Sequence, residues 1–215
     1  MSTGDDAVVG AGRAPRAART TRRYEPDRRL RILEVTLDVV AEHGVAGTTH
    51  RKVAAAADVP LGAMTYYFTG LADLFSSAFT LLAQRWGDAF EAAMAAVPDG
   101  VDPRDAVADA VLVGLADDAD ADAVTGSRRQ AVLAYELYAL AARDSAVREV
   151  TQTWMERTRA ALRRHFDPDD ARVLDALIEG LSIHAVLSTE PLDRERFRAD
   201  IARLAPPPLA PPAHP

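Results

Sequence analysis

Arginine, threonine and tyrosine side chains that share a surface with glycine and alanine suit the outside of a nucleic-acid duplex. The arginine takes a guanine edge or a phosphate in bidentate fashion, hydroxyls donate to phosphate oxygens, and small neighbours let the backbone come close. Residues 47–68 hold that combination, in the order Gly-Thr-Thr-His-Arg-Lys-Val-Ala-Ala-Ala-Ala-Asp-Val-Pro-Leu-Gly-Ala-Met-Thr-Tyr-Tyr-Phe. Arg51 falls at the start of one short helix, which Thr48 or Thr49 can cap. Leu61, Gly62, Ala63 and Thr65 fall on another, which begins at Pro60 and closes at Phe68 after Tyr66 and Tyr67. Val53, Ala54, Val59, Met64 and Phe68 are spaced to hold these helices against a third. Two helices joined by a tight turn, the second small and polar on its outer face, are how a helix-turn-helix sets a recognition helix into the major groove.

Other chemistry is poorly provided for. The chain has no cysteine, hence no disulfide, thiolate metal site or cysteine nucleophile. No Ser-His-Asp context, Gly-rich phosphate loop or metal-ligand spacing stands out. His165 with Asp167, Asp169 and Asp170 comes nearest to a metal set, but Asp-Pro-Asp-Asp reads as a helix start rich in N-terminal carboxylates. The expectation is a chain that is not an enzyme, with no cofactor and no metal.

Positioning falls to helices. Leu30, Leu33, Leu37, Val40 and Ala41 recur at three- and four-residue spacing, predicting a first helix from about Asp27 to His43, where Gly44 takes a left-handed position. A long helix follows at about 71–96, with Leu74, Phe75, Ala78, Leu81, Leu82, Trp86, Phe90 and Met94 as its apolar face. Further helices are predicted near 103–118, 127–143, 145–166, 169–188 and 192–204, with an Asp-rich loop at 117–123. No strand pattern and no repeat emerge, so the expected fold is all-α. The domain reading is an Arg-rich arm at 1–26, a helix-turn-helix domain at 27–72, a helical body at 73–205 and a loose Pro-rich tail at 206–215.

Charge is distributed unevenly. The net of −7 argues against nucleic acid, yet residues 13–31 carry eight arginines against Glu25 and Asp27, while residues 71–215 hold 24 acidic against 15 basic side chains. A basic end on an acidic body is a cue for nucleic acid at the basic end. The arm reads either as a solvated tail or as a contact to phosphate or the minor groove. No apolar run is long enough for a membrane span, the N-terminus lacks an apolar signal stretch, and the chain reads as cytoplasmic.

Residues 27–80 resemble the DNA-binding domain of the TetR family of transcriptional regulators. The resemblance is carried by Arg31-Ile32-Leu33, Gly44-Val45, Thr48-Thr49, Val53-Ala54, Ala57-Asp58-Val59, Gly62, Thr65-Tyr66-Tyr67-Phe68 and Leu71-Ala72-Asp73-Leu74-Phe75. It implies a homeodomain-like three-helix reading head ahead of a larger helical ligand-binding and dimerisation domain. Position by position, it implies that Thr49 contacts phosphate, Arg51 contacts bases, Leu61, Gly62 and Ala63 face the groove, and Thr65, Tyr66 and Tyr67 touch phosphate and bases. The chain departs from the pattern at Asp58, where glycine is usual, at Thr65, where tyrosine is frequent, and at Leu71, where lysine is frequent. Asp58 tolerates positive φ better than most residues. Read from the residues alone, Tyr67 can equally pad helix one against helix four, and His50 can touch the DNA backbone or sit in solvent.

The same resemblance implies a homodimer on a pseudo-palindromic double-stranded operator, repression as the mode of control, and release by a small-molecule effector. Helices 145–166 and 169–188 are the expected dimer bundle; Val173, Leu174, Leu177, Ile178, Leu181, Ala185 and Val186 form a broad apolar stripe on the second. The effector pocket is expected between helix four and helices 103–118, 127–143 and 145–166. Its candidate lining is Trp86, Phe90, Met94, Val107, Val111, Tyr135, Tyr138, Trp154 and His184, each of which can instead be plain core. Few charges among them suggest a hydrophobic or aromatic effector. A helical adaptor without DNA reading is the competing class, and an enzyme the remote one.

Overall fold

A computed structural model describes residues 26–115 and 126–209. Residues 1–25 of the arginine-rich arm, the whole Asp-rich loop and the end of the Pro-rich tail lie outside the described residues. Within them every regular element is an α-helix: α1 Pro26–Gly47, α2 His50–Ala56, α3 Leu61–Tyr67, α4 Leu71–Ala95, α5 Pro103–Leu115, α6 Gly126–Ala141, α7 Ser145–Leu162, α8 Pro168–Leu187 and α9 Arg194–Leu204.

Local chemistry explains the boundaries. Gly44 breaks α1 with φ 69° and ψ 167°, so its ψ is extended rather than left-handed helical. That region is open essentially to glycine alone. Thr49, not Thr48, caps α2 by accepting from the Lys52 amide, while the buried Thr48 hydroxyl donates back to the Gly44 carbonyl. The end of α2 is a Schellman turn: Val59 N–H donates to the Ala54 carbonyl (3.0 Å) and Asp58 N–H to that of Ala55 (3.3 Å). Asp58 supplies the positive φ (51°) in place of the usual glycine. Asp144, Asp167 and Asp193 cap α7, α8 and α9 through their carboxylates.

Two boundaries differ from expectation by more than a residue or two. Helix α7 stops at Leu162, four residues early, because Phe166 is fully buried and His165 Nε2 donates to the Met94 carbonyl at the end of α4 (2.8 Å). The tail is tied down at least as far as Leu209, whose amide donates to the His165 carbonyl (2.7 Å).

Two apolar cores follow. The first joins α1, α2, α3 and the first half of α4 to Leu133, Leu137 and Ala141 of α6 and Val147 of α7. Head and body are therefore packed together, with no gap at residue 72. The second gathers Met94, Val107, Leu112, Leu162, Phe166, Leu174, Ile178, Phe197 and Ile201 beneath α5, α8 and α9. Helix α4 takes part in both, and α7 lies along it. Arg157 of α7 reaches across to Glu91 (2.8 Å) and Asp88 (2.6 Å) of α4.

Candidate nucleic-acid interface and buried aromatic cluster

The head is held by a few side chains that leave one face free. Val53, Met64 and Phe68 are buried, and Arg29 lies over the Phe68 ring (5.4 Å) while donating to Ser77 of α4 (3.1 Å). On the outer side, Arg51 at the start of α2 is exposed, as are Leu61 (49%), Gly62, Thr65 and Tyr66 (67%) on α3, with Ala63 partly so. A Cβ added at Gly62 would meet nothing within 4 Å, so no intramolecular packing requires glycine there. Thr65 uses its hydroxyl proton on the Gly62 carbonyl (3.2 Å). The Thr49 hydroxyl accepts from Lys52, which leaves its own proton for an outside acceptor.

Tyr67 differs from Tyr66. It is half-buried against the head's core, edge-on to the Tyr66 ring at 4.9 Å. The arrangement makes Tyr67 a prop for Tyr66. His50 is half-buried with Nε2 out of solvent's reach, not in solvent as one alternative had it.

The expected effector residues do not all meet. Trp86, Tyr138 and Trp154 form one cluster: the Trp86 and Trp154 rings lie 5.1 Å apart, and Tyr138 is stacked on Trp154 with centroids 6.1 Å apart and planes 13° apart. Trp86 Nε1 is fixed by Gln130 (3.0 Å). The Tyr138 hydroxyl donates to Glu179 Oε2 of α8 (2.7 Å), and burial first, then the charge of the same carboxylate, pushes the Tyr135 phenol pKa up. Phe90 and Val111 border the second core instead, and Met94 and Val107 are wholly inside it. His184 is exposed on the outer face of α8, so it does not line this cluster. Two grooves open along α4, one of about 320 Å³ against α7 and one against α1, and of the three ring residues only Trp154 lines either.

Sequence reasoning missed the carboxylates. Glu179 is held above its ordinary pKa first by burial, then by the charge of Asp175, against the Tyr138 hydrogen bond. Asp175 is pushed the same way by burial, with Arg159 at 2.8 Å opposing. Glu136 of α6 accepts from the Val45 amide, beside Gly44 (3.0 Å), and Arg129 of α6 pairs with Asp38 of α1. These pairings span tens of residues and leave no local signal. Among the described residues no three His, Asp or Glu side chains are placed to hold a metal ion, and no helix is long and apolar enough to cross a membrane.

Comparison with known proteins accounts for most of the chain. Residues 32–78 match the model for bacterial regulatory proteins of the tetR family, and residues 102–207 match a tetracyclin repressor-like C-terminal domain. SCO7518 of Streptomyces coelicolor A3(2) is 45% identical and superposes with TM-score 0.71 over 84% of this chain and 99% of its own. The multidrug binding protein EbrR, solved with ethidium, is 36% identical with TM-score 0.67 over 84% and 99%. The HTH-type transcriptional regulator BetI 1 of Chromohalobacter salexigens is 27% identical over 181 residues, 81% of this chain and 86% of that protein.

Proposed function

The chain belongs to the tetR family of bacterial transcriptional regulators, and from that premise we propose that it is a repressor that binds a pseudo-palindromic operator as a homodimer and leaves it when a small molecule enters the body. The observation that carries this reading is the exposed row Arg51, Leu61, Gly62, Thr65 and Tyr66, with Thr49 and Ala63 at its margins, over a closed core. Arg51 takes a base edge or a phosphate, Thr49 and Tyr66 donate to phosphate, and the bare Gly62 backbone permits close approach. Tyr67 contributes by bracing Tyr66.

Dimerisation is assigned to α8 together with α7. Val173 (54%) and Leu187 (67%) stand exposed on α8, with Ala176, Gly180 and His184 along the same stripe. Two-fold symmetry then sets two α3 helices in successive major grooves, about 34–36 Å apart or a multiple of it. The site of action is the cytoplasm, where the operator is.

The effector is assigned to the space around Trp86, Tyr138 and Trp154. EbrR's complexes with ethidium and proflavin support an aromatic occupant. Two routes connect that space to the head. One is α4, which carries Trp86 and runs unbroken to the head at Leu71. The other is α6, whose Glu136 and Arg129 hold Val45 and Asp38 of α1. A ligand changes the spacing of the two heads only as far as it binds one arrangement better than the other.

The test is fluorescence anisotropy on DNA fragments tiled across the gene's own upstream region, at two salt concentrations. Tight, salt-dependent binding to one palindromic fragment is the expected result. Weak binding, equal on every fragment, would leave the chain a helical ligand-binding protein without specific reading.

A further inference from the structure

Glu179 is an expensive residue in its place. It is half-buried where α8 meets α6, and its hydrogen-bond partner is a neutral phenol, the Tyr138 hydroxyl at 2.7 Å. Among the described residues no arginine, lysine or histidine forms an ion pair with it, whereas Asp175, one turn earlier on α8, has Arg159 at 2.8 Å. A half-buried carboxylate without a cation gives up part of its hydration uncompensated, and glutamine would make the same hydrogen bond without that cost. Burial and the neighbouring Asp175 charge hold the Glu179 carboxyl above its ordinary pKa, as expected of an anion lacking its counter-charge.

The surroundings supply the rest of a recognition site. Tyr138 is a flat ring laid on the Trp154 ring at 13°, with its polar edge on a carboxylate. Trp86 closes on Trp154 from α4, its own N–H taken by Gln130. A planar molecule in the place of the Tyr138 ring would stack on Trp154 and meet Glu179 at its edge. If it carried positive charge it would gain both the aromatic face and the missing ion pair. An anion would meet the unpaired Glu179 carboxylate.

We propose that the slot now filled by the Tyr138 ring is the seat of a planar aromatic cation, stacked on Trp154 and neutralised by Glu179, with Tyr138 as an internal stand-in that swings away on binding. The proposal rests on the effector reading above and adds the charge of the effector to it. It also gives the displacement a consequence. Tyr138 sits two residues from Glu136 on α6, so a ligand that expels the ring pushes the helix whose carboxylate holds the Val45 amide.

Tryptophan fluorescence reads this directly, because the chain's two tryptophans are Trp86 and Trp154. The probes are 10-methylacridinium and acridine, planar isosteres that differ in fixed charge, used at a pH where acridine is neutral. The expected result is saturable quenching by 10-methylacridinium, with acridine weaker by about tenfold or more. Glu179→Gln should lower affinity for the cation about tenfold and leave acridine unchanged, since it removes a charge and keeps a hydrogen-bond acceptor. Tyr138→Ala should tighten binding of the cation by removing the stand-in. Equal binding of the two probes by the wild-type chain, or an unchanged cation affinity in Glu179→Gln, overturns the cation assignment and leaves the effector site standing. Quenching by neither probe removes the seat and the effector reading of this cluster together. The wild-type ratio decides the matter even if a variant fails to fold.

Discussion

Tyr66 and Tyr138 show how differently the two halves of the molecule use one side chain. On the head, Tyr66 is 67% exposed, propped edge-on by Tyr67, and its neighbours in space are its neighbours in sequence. In the body, Tyr138 is stacked on Trp154 of α7 and bonded to Glu179 of α8, residues on the two helices that follow its own. The head's chemistry is turned outward and assembled by local rules of capping and turns. The body's is turned inward and exists only once α4, α6, α7 and α8 have met. A partner as large as a duplex needs an outer surface already formed, whereas a small effector is recognised from all sides and so needs a site made by several helices.

That contrast can be broken at several points. The largest effect is expected from the proposed dimer surface. Val173→Glu with Leu187→Glu places charges on the exposed α8 stripe and should yield monomers in analytical ultracentrifugation. Operator affinity should then fall by about 10²- to 10⁴-fold, the gain that joining two heads supplies. A stable dimer with unchanged operator binding would move the interface elsewhere.

Two glycines give the next comparison. Gly44→Ala must adopt φ 69°, ψ 167° and set its methyl 2.9 Å from Glu136 Oε1, so a loss of about 1–3 kcal/mol is expected. Thermal unfolding should register it at about 2–4 °C per kcal/mol for a chain of this size. Gly62→Ala meets open space inside a helix and should instead stabilise by about 0.5–1 kcal/mol. Its cost should fall on operator affinity, because the proposed docking turns that methyl toward the groove. A Gly62→Ala chain that binds DNA normally would take α3 out of close approach to the duplex.

The smallest expected effect is a pH-dependent one. Burial raises the Glu179 pKa in the folded chain, so the folded state keeps that proton to higher pH than the unfolded state does. The stability linked to it is fully present below the ordinary glutamate range and is lost as pH rises through the raised value. Glu179→Gln should therefore melt above the wild type at neutral pH, with the gap closing on acidification into the carboxylate range. A lower melting temperature at neutral pH would mean that the charge is already compensated.

How far the amino-acid order foretold these features follows the same division. Several helix ends were legible because they rest on residues a few positions apart: the positive φ of Asp58, the Asp-Pro start of α8, the break at Gly44. The exposed face of α3 was legible for the same reason. Even there Thr49 proved the cap rather than Thr48, a choice made by Thr48's burial against α1. In the body, Trp86, Tyr138 and Trp154 were legible as aromatics on helices that face one another, but His184 turned outward and Met94 and Val107 turned into the core, since a stripe does not say which neighbour will cover it. Glu136 and Glu179 were not legible at all. Each is an ordinary glutamate on a helix until the Val45 amide or the Tyr138 hydroxyl arrives from far along the chain.

The central claim is that reading and sensing are separate surfaces joined by α4 and α6, and a side-by-side titration tests it most directly. The wild type, an Arg51→Ala, Tyr66→Ala chain and a Tyr138→Ala chain would be titrated onto one operator fragment by anisotropy, then challenged with 10-methylacridinium. The head variant should lose about 1–3 kcal/mol of binding per contact removed and keep its tryptophan quenching. The Tyr138→Ala chain should bind the operator as the wild type does and respond differently to the cation. Loss of operator binding in Tyr138→Ala, or full operator binding in the head variant, would contradict the account.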